Sequence, residues 1–403
     1  MRKYSIIKMV ILTEKPHFQG AGYMANKAFI YRIYPDKNQE QQLQKTFGCC
    51  RFVYNSILAL QEERYKAGEK HLSKTEANSY CNRELKEEYP FLREVDKFAL
   101  TNSIFHLDEG YRRFFLRLGK HPKYKSKHKA RRSYTTNITD HNIEIGERYI
   151  KLPKLGKVKA VIHRFPQDGW KIKSATITQN RDDTYQVSVL FSYEEQRGTV
   201  PVSSINTLGL DYKSDGLYTD SNGHFCDMPP YYRESSPRLA KAQRKLRHKK
   251  VGSRNYDKQQ RRIARIHRHI ANQRKDYLHQ ESTAIAKRYD CVCVEDLNMR
   301  AMANRGFGNG KSTLDNGYGM FLNMLEYKLQ DRGKCFIKVS KFFPSSQVCH
   351  HCGMIHPEMK DLRIRIMECS CGCKADRDVN AALNIKTEGL RLLAAQVANN
   401  NGR

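Results

Sequence analysis

Two kinds of hydrophobic pattern divide the first half of the chain. The segment AFIYRIYP (residues 28–35) alternates apolar and polar positions as a strand does, and it ends at a proline. From residue 36 to 118, apolar residues such as Leu43, Phe47 and Ile57 recur every three or four positions, which predicts helices. Short alternating segments between residues 134 and 193 predict a β-barrel or a small sheet. We therefore expect one β domain that is interrupted by helices.

The pattern changes after Pro201, where apolar strands alternate with helices. Strands are predicted in NTLGLDYKSDGLYTDSNGHF, CVCVEDLN and CFIKVS, and helices in MFLNMLEYKLQDRG and DVNAALNIKTEGLRLLAAQ. Residues 236–290 form a long basic helical stretch with a break near Gly252. Alternation of strands and helices is typical of an α/β domain.

Basic residues greatly outnumber acidic ones. The 403 residues include 72 Lys and Arg against 42 Asp and Glu, a formal net charge of +30. Such an excess repels itself and favours a polyanionic partner, with nucleic acid the first candidate and an anionic membrane the second. No apolar stretch approaches the roughly 18 residues of a spanning helix, and Lys8 interrupts the first apolar run. The sequence favours a cytoplasmic protein without membrane contact.

Three acidic residues stand where a metal-dependent nuclease needs them. Asp211 ends the apolar run TLGL, Glu295 ends CVCV, and Asp378 opens the last predicted helix. Phosphodiester hydrolysis by two divalent ions requires carboxylates that converge on one point, and Mg²⁺ or Mn²⁺ suits oxygen ligands. A single acid at such a position is more often a turn former or a helix cap, as Asp296 or Asp376 could be. The three together predict a nuclease site.

Five of the twelve cysteines cluster late in the chain, in the segments CHHC and CSCGC. In a basic chain without an export signal, such clustering indicates metal ligation rather than disulfides. Four thiolates from two knuckles make a closed structural Zn²⁺ site. The alternative is a vestigial ribbon that binds no zinc. Cys373 is a substitute ligand, and the predicted ligands are Cys349, Cys352, Cys369 and Cys371.

The residues around the three acids resemble a known family. GLDYKSDGLYTDSNG, VCVEDLN and CGCKADRDVNAALNI are similar to the three RuvC motifs of the TnpB family of insertion-sequence nucleases, which are relatives of type V CRISPR effectors. YPDKNQEQQLQKTFGCCRFVYN and KFFPSSQVCHHCG resemble further parts of the same family. The resemblance runs from about residue 28 to residue 385. One departure is Lys213, which stands where many members have glycine.

The resemblance implies an α+β multidomain architecture. A β-barrel, wedge-like domain with a helical insertion would precede an RNase H-like or RuvC-like α/β nuclease domain, which holds a zinc-ribbon insertion. The expected boundaries are 1–24 for a leader of uncertain role, 25–36 and 119–200 for the β-barrel domain, 37–118 for the helical recognition domain, 201–403 for the nuclease domain and 347–375 for the zinc ribbon.

The resemblance also implies an RNA-guided DNA endonuclease with Asp211, Glu295 and Asp378 as catalytic acids and Mg²⁺ ligands. Its expected partners are a guide RNA, derived from a transposon end or a CRISPR array, and a double-stranded DNA target. In a prokaryotic cell it would be cytoplasmic, or at the nucleoid when bound to DNA. GFGNGKST (residues 306–313) lacks the glycine that a nucleotide-binding loop needs at Arg305. We therefore interpret it as a lid and expect no nucleotide cofactor.

Two basic segments are candidates for nucleic-acid contact. Residues 238–269 combine a cationic face with an apolar stripe and would suit the backbone of a guide–target duplex. Residues 111–133, predicted as a loop, add aromatic residues that could stack on unpaired bases. The candidate contacts are Arg112, Arg113, Lys123, Lys125, Lys127, Arg131, Arg132, Arg244, Arg247, Arg261 and Arg262.

Three other functions stay open from the sequence. The chain could be a type V-like effector that uses CRISPR-derived guides, or a guided DNA binder that does not cut. It could also be a DNA transposase, although no paired His ligands or Tyr nucleophile stand out in a recognisable setting.

Overall fold

The computed structural model describes residues 23–195, 202–302 and 317–401, which form two compact units. The first unit holds the described residues up to 195, and the second holds those from 202 onward. The predicted leader, except for its last two residues, and the predicted lid at 306–313 lie outside the described residues. In the described ranges, no helix has both the length and the apolar character needed to cross a membrane.

The first unit is built on a seven-stranded antiparallel sheet. Its strands are β1 (Tyr23–Tyr34), β2 (Arg132–Asn137), β3 (Glu144–Ile145), β4 (Tyr149–Leu152), β5 (Gly156–Val161), β6 (Lys171–Gln179) and β7 (Tyr185–Glu195). Their order is β2-β6-β7-β1-β5-β4-β3. In β1, the alternating residues Phe29, Tyr31 and Ile33 are buried in the core, as the period-two pattern predicts. β1 begins at Tyr23, earlier than its sequence pattern indicated.

Helices between β1 and β2 complete this unit. They are α1 (Lys37–Lys66), α2 (Lys74–Tyr80), α3 (Lys86–Glu88) and α4 (Lys97–Phe115), with a π-helical turn at Cys81–Leu85 and a 3-10 turn at Pro90–Glu94. The predicted N-cap of α1 is confirmed, because Asp36 and Gln39 exchange capping-box hydrogen bonds. The prediction of a loop beginning at residue 111 was wrong for its first residues, because α4 continues to Phe115. Tyr111 lies in α4 and is only 6% exposed, so its ring packs in the core and cannot stack on a base.

The second unit is built on a five-stranded mixed sheet. Its strands are β8 (Thr207–Tyr212), β9 (Tyr218–Asp220), β10 (Phe225–Cys226), β11 (Cys291–Glu295) and β12 (Cys335–Val339). Their order is β10-β9-β8-β11-β12. β8, β9 and β10 form an antiparallel meander, whereas β11 runs parallel to both β8 and β12. A separate hairpin joins β13 (Ile366–Glu368) to β14 (Lys374–Asp376).

Helices cover both faces of this sheet. They are α5 (Tyr231–Arg247), α6 (Arg254–Arg288), α7 (Met299–Met302), α8 (Tyr318–Gln330) and α9 (Arg377–Asn401). Val292 and Val294 pack in a core shared with α6 and α8, whereas Cys291 and Cys293 pack with Ile385 of α9. Burial on both faces explains why β11 is apolar at every position before its terminal glutamate.

Gly209 allows α9 to lie close to β8. A Cβ atom at this position would collide with the backbone carbonyl oxygen of Ala382. The backbone N–H of Gly209 also donates to the Ser221 hydroxyl at 3.1 Å. The first predicted acid stands two residues after this glycine, so the close approach sets where that acid meets α9.

Candidate active site and metal centre

Parallel pairing places two of the predicted acids side by side. In the register of β8 and β11, Leu210 lies opposite Val294. Asp211 and Glu295 therefore follow at the same carboxyl-terminal edge of adjacent strands. Glu295 also faces Val339 of β12 on its other side. Catalytic groups of α/β proteins commonly stand at this edge of the sheet, because parallel strands end there together.

The third acid is brought in by the start of α9. Asp376 caps this helix, since its Oδ1 accepts hydrogen bonds from the backbone N–H groups of Asp378 (2.9 Å) and Val379 (3.2 Å). Asp378 therefore lies in the first turn of α9 and is not the residue that caps the helix. Burial raises the pKa of Asp211, and the charges of Glu295 and Asp378, which both act on it, raise it further. The structure thus brings the three predicted acids together.

The electrostatics of this cluster oppose full ionisation without a cation. Burial raises the pKa of Asp211 well above its ordinary value, and the charges of Glu295 and Asp378 raise it further, whereas Arg377 lowers it. Burial likewise raises the pKa of Glu295. The hydroxyl of Ser345 donates to Glu295 Oε1 at 2.6 Å and partly offsets that effect. A divalent cation would relieve the repulsion between these carboxylates.

A buried tyrosine supports the fit of a hard metal ion. Tyr318 is almost fully buried, and its hydroxyl has no hydrogen-bond partner among the described residues. The charges of Asp211 and Glu295, after burial itself, raise its pKa. A buried hydroxyl without a partner commonly marks the place of a water or an ion. Carboxylates and a hydroxyl are oxygen donors, and oxygen donors suit Mg²⁺ or Mn²⁺.

Two arginines belong to the cluster although the sequence patterns did not single them out. Arg365 Nη2 lies 2.9 Å from Asp378 Oδ2. Arg377 is buried, and its charge lowers the pKa of Asp211. The backbone N–H of Arg377 donates to the carbonyl of Arg365 at 2.8 Å, which fixes the two residues together. Arg365 lies in the zinc segment (residues 347–375). Its proximity to Asp378 results from the folding of the hairpin and could not be read from the sequence.

The four predicted zinc ligands meet in the structure. Their sulfur atoms all lie within 4.8 Å of one another. Cys349 Sγ is 3.8 Å from Cys371 Sγ, and Cys352 Sγ is 3.5 Å from Cys369 Sγ. Tetrahedral Zn²⁺ with Zn–S bonds of about 2.3 Å places sulfur atoms about 3.8 Å apart. The group therefore fits a structural zinc ion.

One thiol of this group, Cys369, has thiolate character. The backbone N–H of Cys371, followed by the His356 ring, lowers the pKa of Cys369 to about 6. A thiolate rather than a thiol is the form that ligates zinc. Cys373, the predicted substitute, lies outside the group of four, and its sulfur is 3.8 Å from Nδ1 of His350.

The first knuckle is tied directly to α9. The backbone N–H of His350 donates to Asn380 Oδ1 at 3.0 Å, and Asn380 Nδ2 donates to the carbonyl of Val348 at 2.8 Å. Asn384 Nδ2 donates to the carbonyl of Ser345 at 2.8 Å. Both asparagines are buried. Because the hydroxyl of Ser345 also donates to Glu295, Ser345, which lies just before the zinc segment, links the second acid to the helix that carries the third.

The basic candidates differ in their surroundings. Arg112 pairs with Glu109 at 2.6 Å. Lys125 lies 3.5 Å from the centroid of the Tyr54 ring, and burial lowers its pKa. Four candidates line one pocket of the first unit with Arg51 and His106, namely Lys125, Lys127, Arg131 and Arg132. Among the other candidates, those with exposed side chains are Arg113, Lys123, Arg244, Arg247, Arg261 and Arg262.

Lys213, the departure from the family pattern, turns to an acid at the edge of the site. Its Nζ lies 3.0 Å from Oδ1 of Asp227, and this ion pair raises its pKa. The charge of Asp378 also acts on Lys213, so this side chain stands near the carboxylate cluster while its ion pair is with Asp227.

Known protein families match this chain over most of its length. A family model described as "Probable transposase" matches residues 190–306, one described as "Cas12f1-like, TNB domain" matches residues 318–385, and one described as "Helix-turn-helix domain" matches residues 24–70. The first two ranges contain all three acids. In the third range, the structure has a strand followed by one long helix, β1 and α1.

A protein of Streptomyces pristinaespiralis named "Putative RNA-guided DNA endonuclease" is 32% identical over 366 residues, which are 90% of this chain and 89% of the relative. The chain belongs to the TnpB family. A second member, "Putative RNA-guided DNA endonuclease InsQ" of Escherichia coli (strain K12), is 29% identical over 395 residues, covering 94% of this chain and 96% of the relative.

The fold of this TnpB-family chain is similar to that of Cas12f1. The solved structure described as "Cryo-EM structure of the Cas12f1-sgRNA-target DNA complex" aligns with a TM-score of 0.57 at 11% sequence identity, over 90% of this chain and 99% of that chain. The mixed α/β architecture with separate sheets is therefore shared with that protein.

Proposed function

We propose that this protein is an RNA-guided DNA endonuclease that hydrolyses phosphodiester bonds at Asp211, Glu295 and Asp378. The observation that carries the proposal is the convergence of these three acids, two from adjacent parallel strand ends and one from the start of α9. The named endonuclease activity of its TnpB relatives supports the same reaction.

The three carboxylates would hold two Mg²⁺ or Mn²⁺ ions. Such ions, when bound, activate a water molecule and stabilise the leaving oxygen of the phosphodiester. The chain's own contribution is orientation and charge. Ser345 fixes the Glu295 carboxylate, the Asp376 cap fixes the first turn that carries Asp378, and burial of Asp211 limits its contact with bulk water.

We interpret the second unit as a RuvC-like, RNase H-like domain, since its sheet joins an antiparallel meander to two parallel strands and carries acids at the shared edge. We interpret the seven-stranded sheet as the wedge-like barrel domain. Its β1 lies between β5 and β7 in the sheet, so α1 to α4 are an insertion that would serve as the recognition domain.

The zinc segment would be a structural site with Cys349, Cys352, Cys369 and Cys371 as ligands. Four thiolates saturate zinc and leave no position for water, so this ion would have no part in hydrolysis. Its place between Ser345 and α9 supports a role in holding Glu295 and Asp378 in register.

A guide RNA and double-stranded DNA are the proposed partners. The net charge of +30 supports polyanion binding, and the Cas12f1 structure contains an sgRNA and target DNA. Base pairing with the guide would supply sequence specificity, while the protein reads a short motif beside the target. The guide would come from a transposon end or a CRISPR array. A repeat array in the DNA next to the gene would indicate the CRISPR source.

The test begins with expression of the protein together with its native flanking locus. RNA that copurifies is sequenced, and the complex is then given a DNA library with randomised sequences beside a guide-matched target and Mg²⁺. We expect guide-matched cutting next to one short motif. Asp211→Ala should abolish cutting, whereas Asp276→Ala, which removes an exposed acid of α6, should not.

The other outcomes separate the alternatives. Discrete RNA with tight target binding but no cutting would identify a guided DNA binder. The absence of any specific RNA would overturn the RNA-guided proposal and leave a metal-dependent nuclease fold.

A further inference from the structure

A lysine lies at the rim of the carboxylate cluster, at the turn that follows β8. Strand residues alternate between the two faces of a sheet, so Gly209, Asp211 and Lys213 lie on the same face. The backbone N–H of Lys213 donates to the carbonyl of Leu217 at 3.4 Å, which continues the pairing of β8 with β9 by one residue. α9 covers this face, because Gly209 packs against Ala382. The lysine therefore extends the row of residues that includes the first acid.

The start of α9 brings Asp378 to the same end of this row. Gly209 contacts Ala382 and Asp211 interacts with Asp378, so the helix and the strand run in opposite directions. The helix rises by about 6 Å from Asp378 to Ala382, and two strand residues advance by a similar distance, about 6.6 Å. Lys213 therefore lies beyond Asp211, at the amino-terminal end of α9. The charge of Asp378 acts on it.

Lys213 is held at this place by an acid from the other end of the meander. Its Nζ lies 3.0 Å from Oδ1 of Asp227, the residue that follows β10. Gly216 lies against the pair, and a Cβ atom there would be 2.8 Å from Asp227 Oδ1 and 2.9 Å from Lys213 Cδ. Nζ also lies 5.5 Å from the centroid of the Phe225 ring. The pair thus fills the space at the turn, and glycine leaves room for it.

The two members of this ion pair differ in exposure. The side chain of Lys213 is 18% exposed, whereas that of Asp227 is 74% exposed. Water screens an exposed carboxylate, so its ion pair is weak and easily exchanged. Another anion can therefore replace Asp227 on Nζ while packing keeps the stem of the lysine in place.

The proposed function brings one such anion to this end of the sheet, the phosphodiester of a nucleic-acid strand. Hydrolysis forms a bond from a water oxygen to phosphorus and breaks the bond to the leaving oxygen, and a cation beside the phosphate stabilises the charge that develops. An ammonium group is a compact cation with three donors and suits one non-bridging oxygen. Glycine, which many members of the family have at this position, supplies no cation.

We propose that Lys213 binds a non-bridging oxygen of the phosphodiester being cut, and that the phosphate replaces Asp227 on its ammonium group. Lys213 is then a substrate contact that this chain adds to its three acids, and it gives up no proton. The inference rests on the proposed function for the identity of the substrate. It also implies an antagonism, because a cation beside the acids weakens their binding of Mg²⁺ while it strengthens the binding of phosphate.

The test measures ligand binding by the full chain and involves no cleavage. The probes are Mg²⁺ alone and a thymidine dinucleotide with one phosphodiester, the latter at saturating Mg²⁺ and with chelator. The readout is the rise of the melting temperature with ligand concentration. The variants are Lys213→Ala, Lys213→Arg and Asp227→Asn. Lys45→Ala is the matched control, because it removes the lysine of an ion pair with Glu94 in the first unit.

We expect Lys213→Ala to bind the dinucleotide at least about tenfold more weakly in Mg²⁺ and to bind Mg²⁺ itself about twofold to fivefold more tightly. Lys213→Arg should restore both affinities. Asp227→Asn should bind the dinucleotide more tightly, since the competing carboxylate is gone. Lys45→Ala should behave as the parent does. A merely structural defect would weaken both ligands, so opposite shifts identify the charge of Lys213.

Three results would overturn the proposal. They are unchanged binding of the dinucleotide by Lys213→Ala, a joint loss of both ligands in that variant, and a parent protein whose binding of the dinucleotide does not depend on Mg²⁺. Because no cutting is measured, a failure of guided cleavage would leave a positive binding result standing. Unchanged binding by Lys213→Ala would in turn leave cleavage at the three acids to be judged separately.

Discussion

At the residue scale, burial of Asp211 beside Glu295 and Asp378 lowers the stability of the folded chain when these carboxyl groups are ionised. Folding raises the pKa of Asp211, so the folded chain binds this proton more tightly than the unfolded chain does. The contribution of Asp211 to the free energy of unfolding is therefore most favourable at low pH. It declines as pH rises above the ordinary carboxyl pKa towards the raised one.

Asp211→Asn should consequently stabilise the protein without divalent ions. The amide keeps the shape but cannot ionise, so repulsion from Glu295 and Asp378 is removed. We expect a higher melting temperature than the parent at about pH 8, by about 2–4 °C for each kcal/mol gained, and no difference near pH 4. Thermal melting with chelator measures this. Mg²⁺ should stabilise the parent and not the variant, and equal melting of both at pH 8 would contradict the account.

Arg365 is predicted to act in cutting rather than in binding. It contacts Asp378, and its side chain is 56% exposed, so the guanidinium is also accessible to a phosphate. Arg365→Ala should slow cleavage by about 100-fold with target affinity unchanged. The matched control is Arg363→Ala, whose guanidinium pairs with Asp361 at 2.7 Å instead. Equal cleavage rates for the two variants would show that Arg365 has no role in cutting.

At the scale of elements, the first cysteine knuckle is hydrogen-bonded to α9, the helix that carries Asp378. Cys352→Ser should lose zinc and lower cleavage, because the knuckle bonded to Asn380 and Asn384 would loosen. Cys373→Ser should keep about one zinc per chain, since Cys373 lies outside the group of four thiols. Metal analysis after dialysis against chelator measures both. Zinc loss from the Cys373 variant alone would instead make Cys373 the ligand.

The packing of β8 on α9 depends on the absence of a side chain at Gly209. Gly209→Ala would push a methyl group into the backbone of α9 and should cost about 1–3 kcal/mol of unfolding free energy, with a loss of cleavage. Gly48→Ala is the control. It lies in α1 with open space around it, and alanine there should be neutral or stabilising by up to about 1 kcal/mol. Chemical denaturation compares the two.

Local sequence patterns identified the elements of the second unit more closely than those of the first. Strands β8 and β11 are continuous apolar runs because both of their faces are buried, and the break in the basic helices at Gly252 follows from its positive φ. The partners of β1 could not be read in the same way. β5 and β7 lie far along the chain, and pairing across such distances depends on tertiary contacts.

The same limit applies to the site. The three acids could be named from their positions at strand and helix ends, whereas Arg365 and the hydroxyl of Tyr318 could not. Their roles depend on a hairpin and a helix packing beside the acids, which spacing in the sequence does not encode.

At the scale of the whole molecule, the excess of positive charge should make stability depend on polyanions. The net charge of +30 produces self-repulsion that bound nucleic acid relieves. We expect duplex nucleic acid of arbitrary sequence to raise the melting temperature at low salt, with the gain shrinking as salt increases. A gain that is independent of salt would contradict phosphate-dominated binding.

The order in which the acids occur along the chain has a consequence for its synthesis. A ribosome produces the cationic hairpin of α5 and α6 well before it reaches α9, which brings Asp378 only after both zinc knuckles. A nascent chain would thus be able to hold nucleic acid before it can break it. A product interrupted short of α9 would lack Asp378 and, under the proposed function, would compete with the full chain for nucleic acid without cutting it.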